Sequence, residues 1–171
     1  MALVFCDSFD HYEGNCSLKW DLVAANNAEI LTTGAIRTGR ACVRIIGAFG
    51  PTKYVQNLAE IIVGSAVYFN TLPGIVFAFL DLAGGAVNQI RILINGAGAI
   101  GAVRGNDPFG TTLGYSDNGI IVTNIYNYIE TRVVFNQTTG SVLIRVNGVE
   151  VLNLTNIDTV ATGSEFCDGV Q

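Results

Sequence analysis

Between Tyr128 and Val151 the side chains alternate with a period of two, and this pattern constrains the fold more than any other feature of the chain. Ile129, Thr131, Val133 and Phe135 fall on one side, and Tyr128, Glu130, Arg132 and Val134 on the other. Only extended backbone sends successive side chains to opposite faces, so the segment reads as a half-buried β-strand. The turn residues Gln137, Thr138, Thr139 and Gly140 close it, and the next strand puts Val142, Ile144 and Val146 inside with Arg145 outside. Asn147-Gly148 then supplies the two positive φ angles that a tight hairpin turn requires, and Val149 to Leu154 returns. Three consecutive antiparallel strands follow. Glu130 and Arg132 read as an ion pair on the solvent face.

The same reading extends along the chain, to Ala2 to Cys6, Ala41 to Ile46, Ile61 to Phe69, Ile75 to Asp81, Ile90 to Ile94, Ala99 to Arg104 and Gly119 to Thr123. Val, Ile, Phe and Tyr dominate the interiors, with turn signals between them. A short helical turn around Asn57 to Glu60 is the only helical window of note. No linker or charge run divides the sequence. The expected fold is therefore all-β, an antiparallel two-sheet sandwich or jelly roll, in a single domain over 1–171.

With 171 residues the chain can bury roughly 70% of the surface its unfolded form exposes, without metal or disulfide staples. Half the residues are hydrophobic, only 13% are charged, and the mean hydropathy is +0.43. That apolar excess predicts contacts with other protein subunits, of its own kind or another. A membrane partner is not expected, because the longest apolar stretches, Ile61 to Phe69 and Ile75 to Leu80, are parted by Asn70, Thr71 and Pro73. The N-terminus lacks a basic leader, so no signal peptide is expected. A net charge of −5 disfavours nucleic acid. Cys6, Cys16, Cys42 and Cys167 match no metal or redox spacing and read as small buried hydrophobes, with a Cys6 to Cys167 bridge left open.

Several motifs resemble functional sites and are better explained otherwise. GAGAIG, Gly96 to Gly101, fits the dinucleotide fingerprint, but Asn106, Asp107, Pro108 and Gly110 follow where a helix would have to run. Asn95-Gly96 reads instead as a hairpin turn. Asp7, Asp10 and His11 match no metal loop, nor do Asp107 and Asp117, so no metal or cofactor is expected. Paired carboxylates at glycosidase spacing are absent, and the one histidine has no triad context. No catalytic residue is assigned and no enzyme activity is expected. The sequons at Asn15, Asn136 and Asn153 are chance matches without a secretory leader, and Trp20 reads as core or interface. Tyr115, Asp117 and Asn118 come nearest to a glycan or partner loop, an aromatic flanked by polar side chains.

LVFCDSFDHY, Trp20, RTGRACVRI from Arg37 to Ile45, the strands VGSAVYF and VFAFLD, and YIETRVVF with GSVLIRVNGVEVLNLT resemble concanavalin-like and laminin-G-like sandwich proteins of tailed bacteriophages. The resemblance implies a non-enzymatic virion component, made in the host cytoplasm. As capsid cement, decoration or tail protein it would act through protein contacts. A lectin-like module that binds a surface glycan for adhesion is the alternative. Such proteins close the sandwich with a further C-terminal strand, so a chain ending SEFCDGVQ is expected either to be cut or to lack its last strand.

Overall fold

The computed structural model describes residues 20–21, 28–31, 42–45, 52–73, 77–84, 87–106 and 110–171, with backbone only at 28–31, 42–45 and 77–79. The expected strand Ala2 to Cys6, the group Asp7, Asp10 and His11, Cys6, Cys16 and Asp107 lie outside these residues. There are two compact units, Met1–Val55 with Gln171 and Gln56–Val170.

In the first unit β1 (Ala28–Leu31) pairs antiparallel with β2 (Cys42–Ile45). Asp21 accepts from the Lys53 ammonium at 3.1 Å and from the Tyr54 amide at 2.7 Å. These bonds, the backbone one first, hold its carboxyl below the ordinary carboxylate range.

The next strand, β3 (Lys53–Leu58), enters the second unit at Gln56. It is followed by β4 (Glu60–Tyr68), β5 (Phe77–Gly84), β6 (Val87–Ile94), β7 (Ile100–Arg104), β8 (Thr111–Tyr115), β9 (Tyr126–Val134), β10 (Gly140–Val146), β11 (Val149–Ile157) and β12 (Cys167–Val170). They form a four-stranded sheet, β11-β10-β9-β4, and a six-stranded sheet, β3-β12-β5-β6-β7-β8. No described residue is helical. The expectation of an all-β antiparallel sandwich is met.

The two sheets share one core. Ile61 of β4, Ile129 and Val133 of β9, and Val142, Ile144 and Val146 of β10 pack with Leu80 and Leu82 of β5, Ile90, Ile92 and Ile94 of β6, and Ile100 and Ala102 of β7. The period of two read from the sequence thus separates core from outer face along β9 and β10. Ion pairs on the outer face of the four-stranded sheet run between strands. Glu130 pairs with Arg145 at 3.0 Å and Arg132 with Glu60 at 2.6 Å, not Glu130 with Arg132. Residues two apart on a strand stand about 7 Å from each other, whereas a cross-strand neighbour stands about 5 Å away.

Two stretches differ from expectation. Gly119 to Thr123 is turn and loop, in which Ile121 nevertheless reaches the core. Asn57 to Glu60 is no helical turn: Ala59 is a one-residue corner between β3 and β4, and its carbonyl accepts from the Phe135 amide. The SEFCDGVQ ending contains β12, seated between β3 and β5. Cys167 there is a free, buried thiol that donates to the Gly169 carbonyl. The Asn147-Gly148 turn has φ of 52° and 83°. In the turn after β6, Asn95 caps the Ala97 and Ala99 amides, and the positive φ of 75° belongs to Gly98, not Gly96.

Candidate active site

On β6 the residues facing away from the core follow from the register. Ile90, Ile92 and Ile94 are core, so Arg91 and Leu93 point outward. On β8, a side chain at Gly114 would meet Leu152 and Leu154 of the opposing sheet, so Gly114 faces in and Tyr115 faces out. The outer face of the six-stranded sheet therefore carries Asp81, Arg91, Leu93, Gly101, Val103 and Tyr115, in rows defined by Asp81↔Arg91↔Val103 and Leu93↔Gly101↔Tyr115.

Arg91 is the centre of this face. Its Nε donates to Asp81 Oδ1 at 2.8 Å and one terminal nitrogen donates to Asp81 Oδ2 at 3.3 Å, a two-point pair. The other terminal nitrogen donates to the Asn106 carbonyl at 3.1 Å. Asn88 completes the frame: its side-chain amide donates to Asp81 Oδ2 at 3.2 Å, and its backbone amide to Asn106 Oδ1 at 2.6 Å. A guanidinium has five N–H donors, of which these contacts engage three. The remaining two sit one on each terminal nitrogen. With both partners about 15% exposed, the pair lies low on the face but within reach of solvent.

Two residues beyond Arg91 on β6, in the neighbouring row, Tyr115 lies across Gly101, where any side chain would collide with its ring. Burial pushes the Tyr115 phenol above its ordinary value, so the hydroxyl stays protonated and serves as a donor. After Tyr115 the chain turns. The Ser116 hydroxyl accepts from the Ile100 amide and donates to the Asp117 carbonyl, while the Gly119 and Ile121 amides bond to the carbonyls of Ala97 and Gly98. Asp117 and Asn118 are exposed at the tip of this braced loop. Tyr115 thus belongs to the sheet face, and Asp117 and Asn118 to its end. Asn147 and Gly148 lie on the other sheet, in the β10–β11 turn. Among the described residues no three His, Cys, Asp or Glu side chains cluster to hold a metal.

Sequence reasoning missed Arg91 and Asp81. The available signal was Arg91 itself, a lone charge inside the apolar run of β6, where an unpaired cation would be costly. Its partner depends on a register containing two irregularities, between Ala78 and Leu80 and between Leu82 and Ala83.

No protein-family model and no curated protein matches the chain. Two solved structures are similar in fold. One is the endo-β-1,4-glucuronan lyase from the fungus Trichoderma reesei, with TM-score 0.60 and 10% identity, over 88% of this chain and 76% of that one. The other is the alginate lyase Aly36B, with TM-score 0.47 and 15% identity, over 95% of this chain and 75% of that one. The shared architecture is a β-sandwich, in keeping with the concanavalin-like resemblance.

Two expectations, that of a non-enzymatic virion protein and that of no enzyme activity, are corrected by the glucuronan lyase: an enzyme is built on this fold, so the sandwich is no argument for a purely structural role. The physical reason is the choice of chemistry considered. Paired carboxylates and histidine triads serve hydrolysis and acyl transfer. Elimination next to a carboxylate needs neither: it needs a donor for that carboxylate and groups to move a proton.

Proposed function

We propose that this protein acts on a carboxylate-bearing polysaccharide by elimination, with a sugar carboxylate reaching the Arg91–Asp81 pair of the six-stranded sheet. The observation that carries the reading is Arg91, fixed by Asp81 and Asn106 with one N–H left on each terminal nitrogen for a carboxylate. A uronate carboxylate bound there loses much of its negative charge, which acidifies the adjacent C–H. In the elimination the C–H proton passes to solvent water, the electron pair of that bond forms the carbon–carbon double bond, and the glycosidic C–O bond breaks with a proton passing to the departing oxygen. Tyr115, kept protonated by burial, suits that last donation. Asp117 and Asn118, at the end of the same face, offer hydrogen-bonding groups to sugar hydroxyls. The fold shared with a glucuronan lyase supports this reading at the level of architecture.

Titration with oligoglucuronate checks the role of Arg91. The wild type is expected to bind, Arg91→Ala to bind at least about tenfold more weakly, and Arg91→Lys to recover little, because an ammonium lacks the planar guanidinium geometry. Equal affinity of wild type and Arg91→Ala would remove the basis of the proposal.

A further inference from the structure

The outer face of the four-stranded sheet has a different chemistry. The register places Tyr68 beside Tyr126, Ala66 beside Tyr128 and Gly64 beside Glu130, with Arg145 the next neighbour of Glu130. Tyr128 is 40% exposed, yet the hydroxyl end of its ring fills the space over Gly64 that any side chain would occupy. The ring therefore bridges from β9 to β4 as a shelf on the sheet. Its backbone is pinned by the hairpin turn: the Tyr128 amide donates to Asn147 Oδ1 at 2.9 Å, and the Asn147 amide donates to the Tyr128 carbonyl at 2.7 Å. One step along, the Tyr68 and Tyr126 rings lie 5.4 Å apart at 54°. Both arginines of this face, Arg132 and Arg145, already hold carboxylates, those of Glu60 and Glu130. Among the described residues the face is thus aromatic, rich in fixed hydrogen-bonding groups and without surplus positive charge.

We infer that this face is a second carbohydrate-binding surface, selective for uncharged sugars, whose pyranose rings stack on Tyr128 and the Tyr68–Tyr126 pair while Glu130 and Arg145 bond their hydroxyls. The absence of surplus positive charge argues against a polyanion here, in contrast to the Arg91 guanidinium on the other sheet. Rings held in place by the sheet suit stacking because little side-chain freedom is lost on binding.

The test is affinity electrophoresis and calorimetry with soluble neutral polysaccharides (β-1,4- and β-1,3-linked glucans, xylan and dextran) and, separately, glucuronan. Wild type is expected to bind at least one neutral polymer. Tyr128→Ala should weaken that binding tenfold or more, and Tyr128→Phe should keep most of it. Gly64→Ala, which leaves Tyr128 in place but displaces its hydroxyl end from the sheet, should weaken binding as Tyr128→Ala does. Arg91→Ala should leave neutral-polymer binding unchanged, which separates this inference from the reading of the other face. Circular dichroism of each variant controls for folding. Failure of the wild type to bind any neutral polymer would overturn the inference, as would binding indifferent to both Tyr128→Ala and Gly64→Ala. A Tyr128-dependent dimer in sedimentation, without sugar binding, would assign the face to a second copy instead and equally overturn it.

Discussion

Asn147 and Gly148, both at positive φ, turn the chain between β10 and β11 with nothing packed within 4 Å of where a Gly148 side chain would begin. The demand on this residue is therefore one of backbone conformation alone. Gly148→Val should destabilise the protein by at least about 1 kcal/mol through strain at that φ, seen as a lower denaturation midpoint; an unchanged midpoint would mean that the turn tolerates a branched residue. This turn was legible in the dipeptide because both of its residues tolerate positive φ, although the Asn95-Gly96 pair after β6 is used differently. Arg91 was half legible. Its charge stands out in the NQIRILI run, but the ring of partners around it, Asp81, Asn88 and Asn106, is assembled from three segments whose register the sequence does not display.

The legible strands were those long enough to show alternation: β4, β6, β9, β10 and β11 each run seven to nine residues. Of the shorter strands β2 and β7 were read as well, within Ala41 to Ile46 and Ala99 to Arg104, whereas β1, β8 and β12 were not. The TTLGY of β8 has exposed threonines and a glycine that packs inward, and the CDGV of β12 is four residues with a charge and a glycine. Position in the sheet, rather than local pattern, makes them strands. Conversely Gly119 to Thr123 looked like a strand because Ile120 and Ile121 are apolar, yet they serve the core from a loop.

The placement of β12 has a measurable consequence. Burial first, and the neighbouring Asp168 charge to a smaller degree, push the Cys167 thiol up to about 12 from an ordinary 9.0, against the lowering effect of hydrogen bonding with the Gly169 backbone. A group whose folded value is raised contributes its stability fully below the unfolded value and loses it as pH rises towards the folded one. Wild-type denaturation midpoints should therefore fall more steeply between about pH 9 and 12 than those of Cys167→Ala. Parallel slopes would show that Cys167 ionises freely in the folded chain.

At the scale of the whole molecule, the apolar excess of the composition is only partly a matter of the central core. Leu93 and Val103 face away from that core and are still only 2% and 1% exposed. The outer face of the six-stranded sheet thus buries apolar side chains beside the Arg91–Asp81 pair, in surroundings of lower polarity than water, where an oriented guanidinium acts more strongly on a bound anion. A sandwich with one apolar-lined, arginine-bearing face and one aromatic, charge-balanced face is an arrangement that composition alone does not reveal. The measurement that bears most directly on the account is the ultraviolet absorbance of newly formed carbon–carbon double bonds while the protein is incubated with glucuronan and with other polyuronates. The account predicts a steady rise with wild type on at least one polyuronate, a loss of at least about a hundredfold in rate with Arg91→Ala, and a near-wild-type rate on short oligomers with Tyr128→Ala. No absorbance change on any polyuronate, or a rate untouched by Arg91→Ala, would contradict it.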